Sequence, residues 1–102
     1  MLAVSRFRVS AEAELDFRAR AEHAVAFLAE CEGNLDAQLL LNLDEPDLWC
    51  IVSSWRNVGS YRRSFNGYTA KMVLVPLLSE AIDEPSAFGL PQDVGENRPR
   101  ER

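Results

Sequence analysis

The sequence is poor in the residues on which many enzyme active sites depend. Its 102 residues include one histidine and two cysteines, and they contain no glycine-rich phosphate-binding motif. With His23 as the only histidine, hydrolytic and zinc mechanisms have few groups to use. Cys31 and Cys50 lie among apolar neighbours, which favours buried free thiols over a disulfide or a metal-binding pair.

Positive charge and long apolar runs are also scarce. Eleven Lys and Arg residues face sixteen Asp and Glu residues, for a net charge of -5. This balance argues against nucleic acid, whose phosphates require a basic surface, and against an anionic membrane surface. No apolar run approaches the roughly 20 residues of a spanning helix, and the N-terminus MLAVSRFRV lacks the pattern of a signal peptide. We therefore expect no nucleic-acid or membrane partner and a cytoplasmic location.

The chain is otherwise ordinary for one globular domain, with 47% hydrophobic residues in periodic segments. Branched and aromatic residues predict a strand over residues 2–9. A helix follows that Ser10 caps and that ends near Cys31. Its apolar residues recur at three- and four-residue steps and form one stripe: Phe17, Ala21, Ala24, Leu28 and Cys31.

The second half of the domain alternates strands and short helices. Two apolar runs, 35–43 and 48–55, predict a hairpin closed by the Pro and Asp residues of a turn. Asn57 predicts the N-cap of a short helix to Phe65, and a further helix from Thr69 is kinked or restarted at Pro76. A second turn, Asp83-Glu84-Pro85, then leads to a last strand over residues 86–90. We expect a folded domain over residues 1–90 and a disordered, highly charged tail over residues 91–102.

The strand 48–55 is apolar on both of its faces. Alternate side chains point to opposite faces of a sheet, and the two sets here are Leu48, Cys50, Val52, Ser54 and Trp49, Ile51, Ser53, Trp55. The predicted helices can cover only one face, and the apolar patch left on the other is larger than soluble monomers tolerate. We therefore predict a homodimer through the open sheet face. Its two sheets enclose a cavity lined by Trp49, Ile51 and Trp55, with Cys50 in the core.

The junction after this strand carries the motif W-x5-YR-x2-F, made of Trp55, Tyr61, Arg62 and Phe65. Other parts of the pattern are the opening strand RFRV, the G-N-L start of the second strand and the last strand after Pro85. Together they make residues 2–90 resemble the antibiotic biosynthesis monooxygenase family. The resemblance implies an α+β fold, a ferredoxin-like antiparallel sheet with helices on one face, paired into a dimeric α+β barrel. It also implies a monooxygenase that uses neither cofactor nor metal and oxidises an aromatic, polyketide-like small molecule with O2.

The resemblance also assigns roles to residues of the junction. Trp55 corresponds to a cavity tryptophan that positions the substrate, and Tyr61 and Arg62 match residues that contact the substrate or supply hydrogen bonds and charge. Ile51 stands where the quinone-forming members carry an asparagine that binds substrate oxygens, and an isoleucine side chain makes no hydrogen bonds. The haem-degrading branch needs a histidine on the later helix, whereas His23 lies on the solvent side of the first helix.

Side-chain chemistry supports the same group of residues. The Trp55 N–H can donate, the Tyr61 hydroxyl can donate or accept, and the Arg62 guanidinium is always charged. The arginine cluster Arg56, Arg62 and Arg63 favours an anionic or phenolic ligand nearby. We take Trp55, Tyr61 and Arg62 as candidate catalytic residues. Further candidates for the substrate cavity are Trp49, Ile51, Ser53 and Phe65, with Ser5 a weaker candidate hydroxyl.

Plainer interpretations stay open for each of these residues. Trp55 can fill the end of the strand with its N–H bonded inside the protein, and Trp49 can be a core or dimer residue. Tyr61 can pack the short helix, and Arg62 can be solvated. For the function, the alternatives are a non-catalytic dimeric small-molecule-binding module, which Ile51 favours, and a cofactor-free isomerase or cyclase on the same barrel.

Overall fold

The sheet is built around its first strand, which pairs on both edges. In the computed structural model, which describes residues 1–94, strand β1 (Leu2–Arg8) lies between β3 (Leu48–Trp55) and the short β4 (Ala87–Phe88). The strand β2 (Asn34–Leu41) pairs with the other edge of β3. All pairs are antiparallel and the order is β2-β3-β1-β4, which is the ferredoxin-like arrangement that the family resemblance implies.

The turn between β2 and β3 is closed by the side chain of its first residue. The Asn42 Oδ1 atom accepts hydrogen bonds from the backbone N–H groups of Asp44 and Glu45, both at 2.8 Å. Such bonds stabilise tight turns because they replace backbone partners that the ladder no longer supplies. The predicted hairpin is confirmed, although β2 ends at Leu41, two residues earlier than expected.

The long helix α1 (Glu14–Glu30) follows a 3-10 turn (Ala11–Ala13). Ser10 was expected to cap it through its side chain, but that side chain makes no capping hydrogen bond. Instead the Ser10 carbonyl accepts from the N–H of Ala13 at 3.0 Å, because the chain enters the helix through the tighter turn. The predicted stripe is confirmed, since its four members within the helix are buried: Phe17, Ala21, Ala24 and Leu28.

The helices cover the sheet face opposite to the one that the sequence analysis predicted. Trp49, Ile51 and Trp55 are buried in the core beneath α1, at 5%, 3% and 1% exposure. Cys50 lies on the open face and is only half-buried. The predictions that Trp49, Ile51 and Trp55 line a cavity between two sheets and that Cys50 lies in the core are therefore wrong. The physical reason is packing: the rings on that face join Phe17 and the rest of the α1 stripe in one core.

Aromatic contacts show how this core is assembled. The Phe17 ring lies 5.0 Å from the Phe7 ring and 5.6 Å from the Trp49 ring, both in tilted arrangements. Trp49 Nε1 is buried and has no hydrogen-bond partner within the described residues. An unpaired buried N–H is destabilising, so the packing of this indole outweighs the loss of its hydrogen bond.

Two short helical segments complete the covered face. Helix α2 (Val58–Arg63) begins at Asn57, whose Oδ1 atom accepts from the Ser60 N–H at 2.8 Å, as predicted. A π-helical turn (Ala70–Leu74) then leads into helix α3 (Val75–Leu78). The change occurs next to Pro76, which has no N–H to donate, so the predicted interruption of this helix is confirmed.

The C-terminal part differs from the expectation over four residues. Residues 91–102 were expected to be disordered, but Pro91–Val94 form one exposed helical turn, α4. The N–H groups of Asp93 and Val94 both donate to the Leu90 carbonyl. The rest of the expected tail, residues 95–102, lies outside the described residues.

Two further features bear on the expectations from composition. No helix within residues 1–94 has the length and apolarity needed to cross a membrane, and the cytoplasmic location stays a prediction. Cys31 and Cys50 are free and half-buried, so the predicted free thiols are confirmed while full burial is not. Burial raises the pKa of both thiols.

Candidate functional site

The end of β3 and helix α2 form an aromatic cluster. The Tyr61 ring lies 5.8 Å from the Trp55 ring and 5.0 Å from the Phe65 ring, in edge-to-face arrangements. Such contacts add about 0.5–1.5 kcal/mol each to the burial of the rings. Trp55 is 1% exposed, and its Nε1–H donates to Ser53 Oγ at 2.8 Å. Trp55 therefore supports Tyr61 from within the core, with its polar atom satisfied by the protein.

Helix α2 is held close to the chain that leads into β2. Gly33 has φ of +86° and lies against Ser60, so that a Cβ atom at Gly33 would overlap the Ser60 side chain. The Gly33 carbonyl also accepts from the Arg56 N–H at 2.8 Å. Because only glycine permits this approach without strain, Gly33 determines where α2, and with it Tyr61, lies over the sheet.

A cavity of ≈ 420 Å³ lies where β1, α2 and the segment after α3 meet. Its wall combines aromatic and aliphatic side chains with hydroxyl and carboxylate groups. The lining residues are Val4, Ser5, Tyr61, Phe65, Leu78, Ser79, Ala81, Ile82, Asp83, Glu84 and Ser86. A concave space that combines aromatic and aliphatic surface with convergent polar groups can bind a small molecule. We refer to this space as the Tyr61 cavity.

The segment 82–86, which forms one side of the Tyr61 cavity, is fixed to β1 at both ends. The Ile82 N–H donates to the Arg6 carbonyl at 2.8 Å, and the Val4 N–H donates to the Ser86 carbonyl at 2.7 Å. Between these bonds the chain leaves the strand edge. This backbone pairing holds the predicted Asp83-Glu84-Pro85 turn against the cavity.

Arg6 also binds this turn through its side chain. Its Nε and Nη2 atoms donate to the two carboxylate oxygens of Glu84, at 2.7 and 2.9 Å. These hydrogen bonds hold the pKa of the Glu84 carboxyl below its ordinary value and raise the pKa of the guanidinium. Glu84 therefore stays ionised and paired. No ion pair among residues 1–94 involves Asp83.

The structure brings only some of the predicted site residues to this cavity. Tyr61, Phe65 and the weaker candidate Ser5 line it. Four other candidates lie in the core between sheet and helices: Trp49, Ile51, Ser53 and Trp55. Arg62 is exposed and does not line the cavity.

Two further lining residues, Asp83 and Glu84, were read in the sequence only as parts of a turn. The one signal in the sequence that could have placed them at the site is a polar turn just before a strand that pairs with β1. No local pattern links this turn to α2, because the residues of α2 are about twenty positions away. Within residues 1–94, no group of three or more His, Cys, Asp and Glu side chains is placed to hold a metal ion.

Comparisons with known structures agree with this fold. A variant of SnoaB, a cofactor-independent oxygenase from Streptomyces nogalater, has a TM-score of 0.71 at 21% identity, over 89% of this chain and 92% of its own. A conserved protein from Methanosarcina mazei Go1 has a TM-score of 0.70 at 22% identity, over 84% of each chain. Rv0793 from Mycobacterium tuberculosis has a TM-score of 0.67 at 14% identity, over 84% and 86%. At these identities the likeness establishes the fold.

Sequence comparison identifies the family. No curated protein sequence matches the chain. The family described as antibiotic biosynthesis monooxygenase, in contrast, matches residues 1–71, which include β1, α1, the hairpin and the Trp55–Phe65 junction. The resemblance drawn from the junction motif is confirmed, and the chain belongs to the antibiotic biosynthesis monooxygenase family.

Proposed function

We propose that this protein is a cofactor-free monooxygenase that oxidises an aromatic small molecule with O2 in the Tyr61 cavity. The observation that carries the proposal is the position of Tyr61, whose ring is supported by buried Trp55 and forms the cavity wall together with Phe65. Family membership supports the class of reaction. The oxygenase SnoaB, which has the same fold, supports it as well.

The cavity wall suits a reaction in which the substrate supplies the electrons. A ring CH2 group becomes a carbonyl, O2 provides its oxygen atom, and the two hydrogens leave with the second oxygen atom as water. The first step is loss of a proton from the substrate to the Asp83 carboxylate, which leaves the total charge in the cavity unchanged. The Tyr61 hydroxyl then stabilises the developing oxyanion by donating a hydrogen bond.

Oxygen consumption tests the proposal directly. The purified, metal-free protein is given a panel of anthrones and naphthols, and dissolved oxygen is followed with an electrode. We expect uptake that falls at least about tenfold in Tyr61→Phe, because the variant keeps the ring and loses the hydrogen bond. Tyr68→Phe is the matched control, since Tyr68 is 78% exposed and does not line the cavity. Equal rates in the two variants would contradict a catalytic role for Tyr61.

A second candidate is a small-molecule-binding module without turnover. Ile51 is apolar and 3% exposed, and the Trp55 N–H is bonded to Ser53, so neither of these two residues offers a polar group to a ligand in the cavity. Tight binding of an aromatic ligand with neither oxygen uptake nor product would favour this candidate. Turnover that persists under nitrogen would instead indicate the isomerase or cyclase alternative.

We also propose that the open sheet face pairs with a second copy of the chain. Its apolar side chains are exposed or half-buried: Leu2, Val4, Leu40, Val52 and Phe88. Burying them against another sheet is favourable, because each square ångström of apolar surface removed from water contributes roughly 25 cal/mol.

Light scattering at micromolar concentration is expected to give the mass of a dimer. Leu40→Arg should shift that mass toward the monomer, because it places a charge in the proposed interface. Leu15→Arg should leave the mass unchanged, since Leu15 is 85% exposed on α1, away from the sheet. A monodisperse monomer in the unchanged protein would overturn the proposed pairing.

A further inference from the structure

The charged groups that line the Tyr61 cavity all have the same sign. Asp83 and Glu84 contribute carboxylates, and no lysine, arginine or histidine is found among its lining residues. The remaining polar groups are hydroxyls, from Tyr61 and three serines. A hydroxyl serves an anionic or a neutral ligand equally well, so the carboxylates decide which net charge the cavity favours.

The two carboxylates differ in how far their charge is compensated. Glu84 forms a bidentate ion pair with Arg6, which is not among the residues that line the cavity. Asp83 takes part in no ion pair among residues 1–94. Among the described residues, Asp83 is therefore the exposed carboxylate at the cavity without an ion-pair partner, and the backbone bonds of Ile82 and Ser86 to β1 keep its segment in place.

The arginine cluster, from which an anionic ligand was expected, serves other contacts. Arg63 donates to Ser60 Oγ at 3.2 Å, and Arg56 lies 3.9 Å from a carboxylate oxygen of Glu32. None of the cluster lines the cavity, and Arg62 is exposed. Within residues 1–94, the cations near the junction motif therefore form no ion pair with Asp83.

We infer that the Tyr61 cavity binds neutral or positively charged aromatic molecules more tightly than aromatic carboxylates, and that Asp83 determines this specificity. The inference rests on the proposed function, because it concerns the ligand of the same cavity. A neutral substrate would offer Asp83 a hydroxyl hydrogen, and an amine-bearing one would form an ion pair. A carboxylated ring would place two negative charges together, which is unfavourable without a cation nearby.

Binding of three probes with the same ring system tests the inference. The probes are 2-naphthylmethylammonium, 2-naphthol and 2-naphthoate at neutral pH, and their dissociation constants are measured by titration calorimetry. A unit charge near an exposed carboxylate changes affinity by roughly fivefold. We therefore expect the ammonium to bind about 25-fold more tightly than the carboxylate, with the alcohol between them. Raising the salt concentration should compress this order.

Variants test whether the charge selectivity comes from Asp83 and whether the probes bind in the cavity. Asp83→Asn should bring the three affinities close together, whereas Asp93→Asn, which removes an exposed charge outside the lining, should leave their order unchanged. Ser5→Phe fills the cavity from β1 and should abolish binding of all three probes. Circular dichroism of each variant confirms that the fold is intact.

The outcomes separate the inference from the proposed function. If 2-naphthoate binds as tightly as the ammonium, and Ser5→Phe abolishes that binding, the charge selectivity is wrong and the cavity function stands. If none of the probes binds the folded protein, or if binding survives Ser5→Phe, the cavity is not the ligand site and both are overturned. An unchanged order of affinities in Asp83→Asn would remove Asp83 as the determinant.

Discussion

Gly33→Ala is expected to lower the free energy of unfolding by about 3 kcal/mol. Gly33 has φ of +86°, a conformation that costs a residue with a Cβ atom about 1–2 kcal/mol. The new methyl group would also overlap the side chain of Ser60, which is 1% exposed. Ser60 has little room to move, because its N–H donates to Asn57 and its Oγ accepts from Arg63. Overpacking of this kind costs about 1–3 kcal/mol more.

Gly67→Ala is the matched control for this prediction. Gly67 also has a positive φ, +91°, but nothing lies within 4 Å of the position that its Cβ atom would take. Gly67→Ala should lower the free energy of unfolding only by the cost of the positive φ, about 1 kcal/mol. The difference between the two variants in urea-induced unfolding, at a fixed protein concentration, measures the overlap with Ser60. Equal losses would mean that α2 is not held by the contact of Gly33 with Ser60.

The second prediction concerns Trp55, the tryptophan of the junction motif. Trp55→Ala is expected to cost about 3–5 kcal/mol of stability, because the indole is fully buried and its removal leaves a cavity beneath Tyr61. Ser53→Ala should cost about 1–3 kcal/mol, since it leaves the buried Trp55 N–H without an acceptor. Both losses are measured by urea-induced unfolding.

A double-mutant cycle isolates the hydrogen bond between these two residues. In a Trp55→Phe background the N–H is absent, so that adding Ser53→Ala should cost much less than it does alone. Additive losses would mean that the cost of Ser53→Ala does not come from its hydrogen bond with the Trp55 N–H. Oxygen uptake per folded molecule should fall less in Trp55→Phe than in Tyr61→Phe, because Tyr61 alone of the two lines the cavity.

The sequence alone was sufficient for the elements whose signals are local. The apolar stripe of α1, the Asn57 cap and the interruption at Pro76 all depend on residues within a turn or two of each other. Each depends on a local cause: the stripe on helical periodicity, the cap on unpaired N–H groups at the helix start, and the interruption on the N–H that proline lacks. The junction motif, the opening strand, the G-N-L start of β2 and the last strand after Pro85 were together enough to indicate the family, which the match over residues 1–71 confirms.

Tertiary structure decided which residues meet at the site. Both faces of β3 are apolar, so its alternation could not tell which one α1 would cover, and packing in the core beneath that helix placed the tryptophans inside. The pairing of residues 82–86 with β1 brings Asp83 to the cavity that Tyr61 and Phe65 line, about twenty positions earlier in the chain. Such contacts depend on the register of distant strands, and no short-range pattern encodes them.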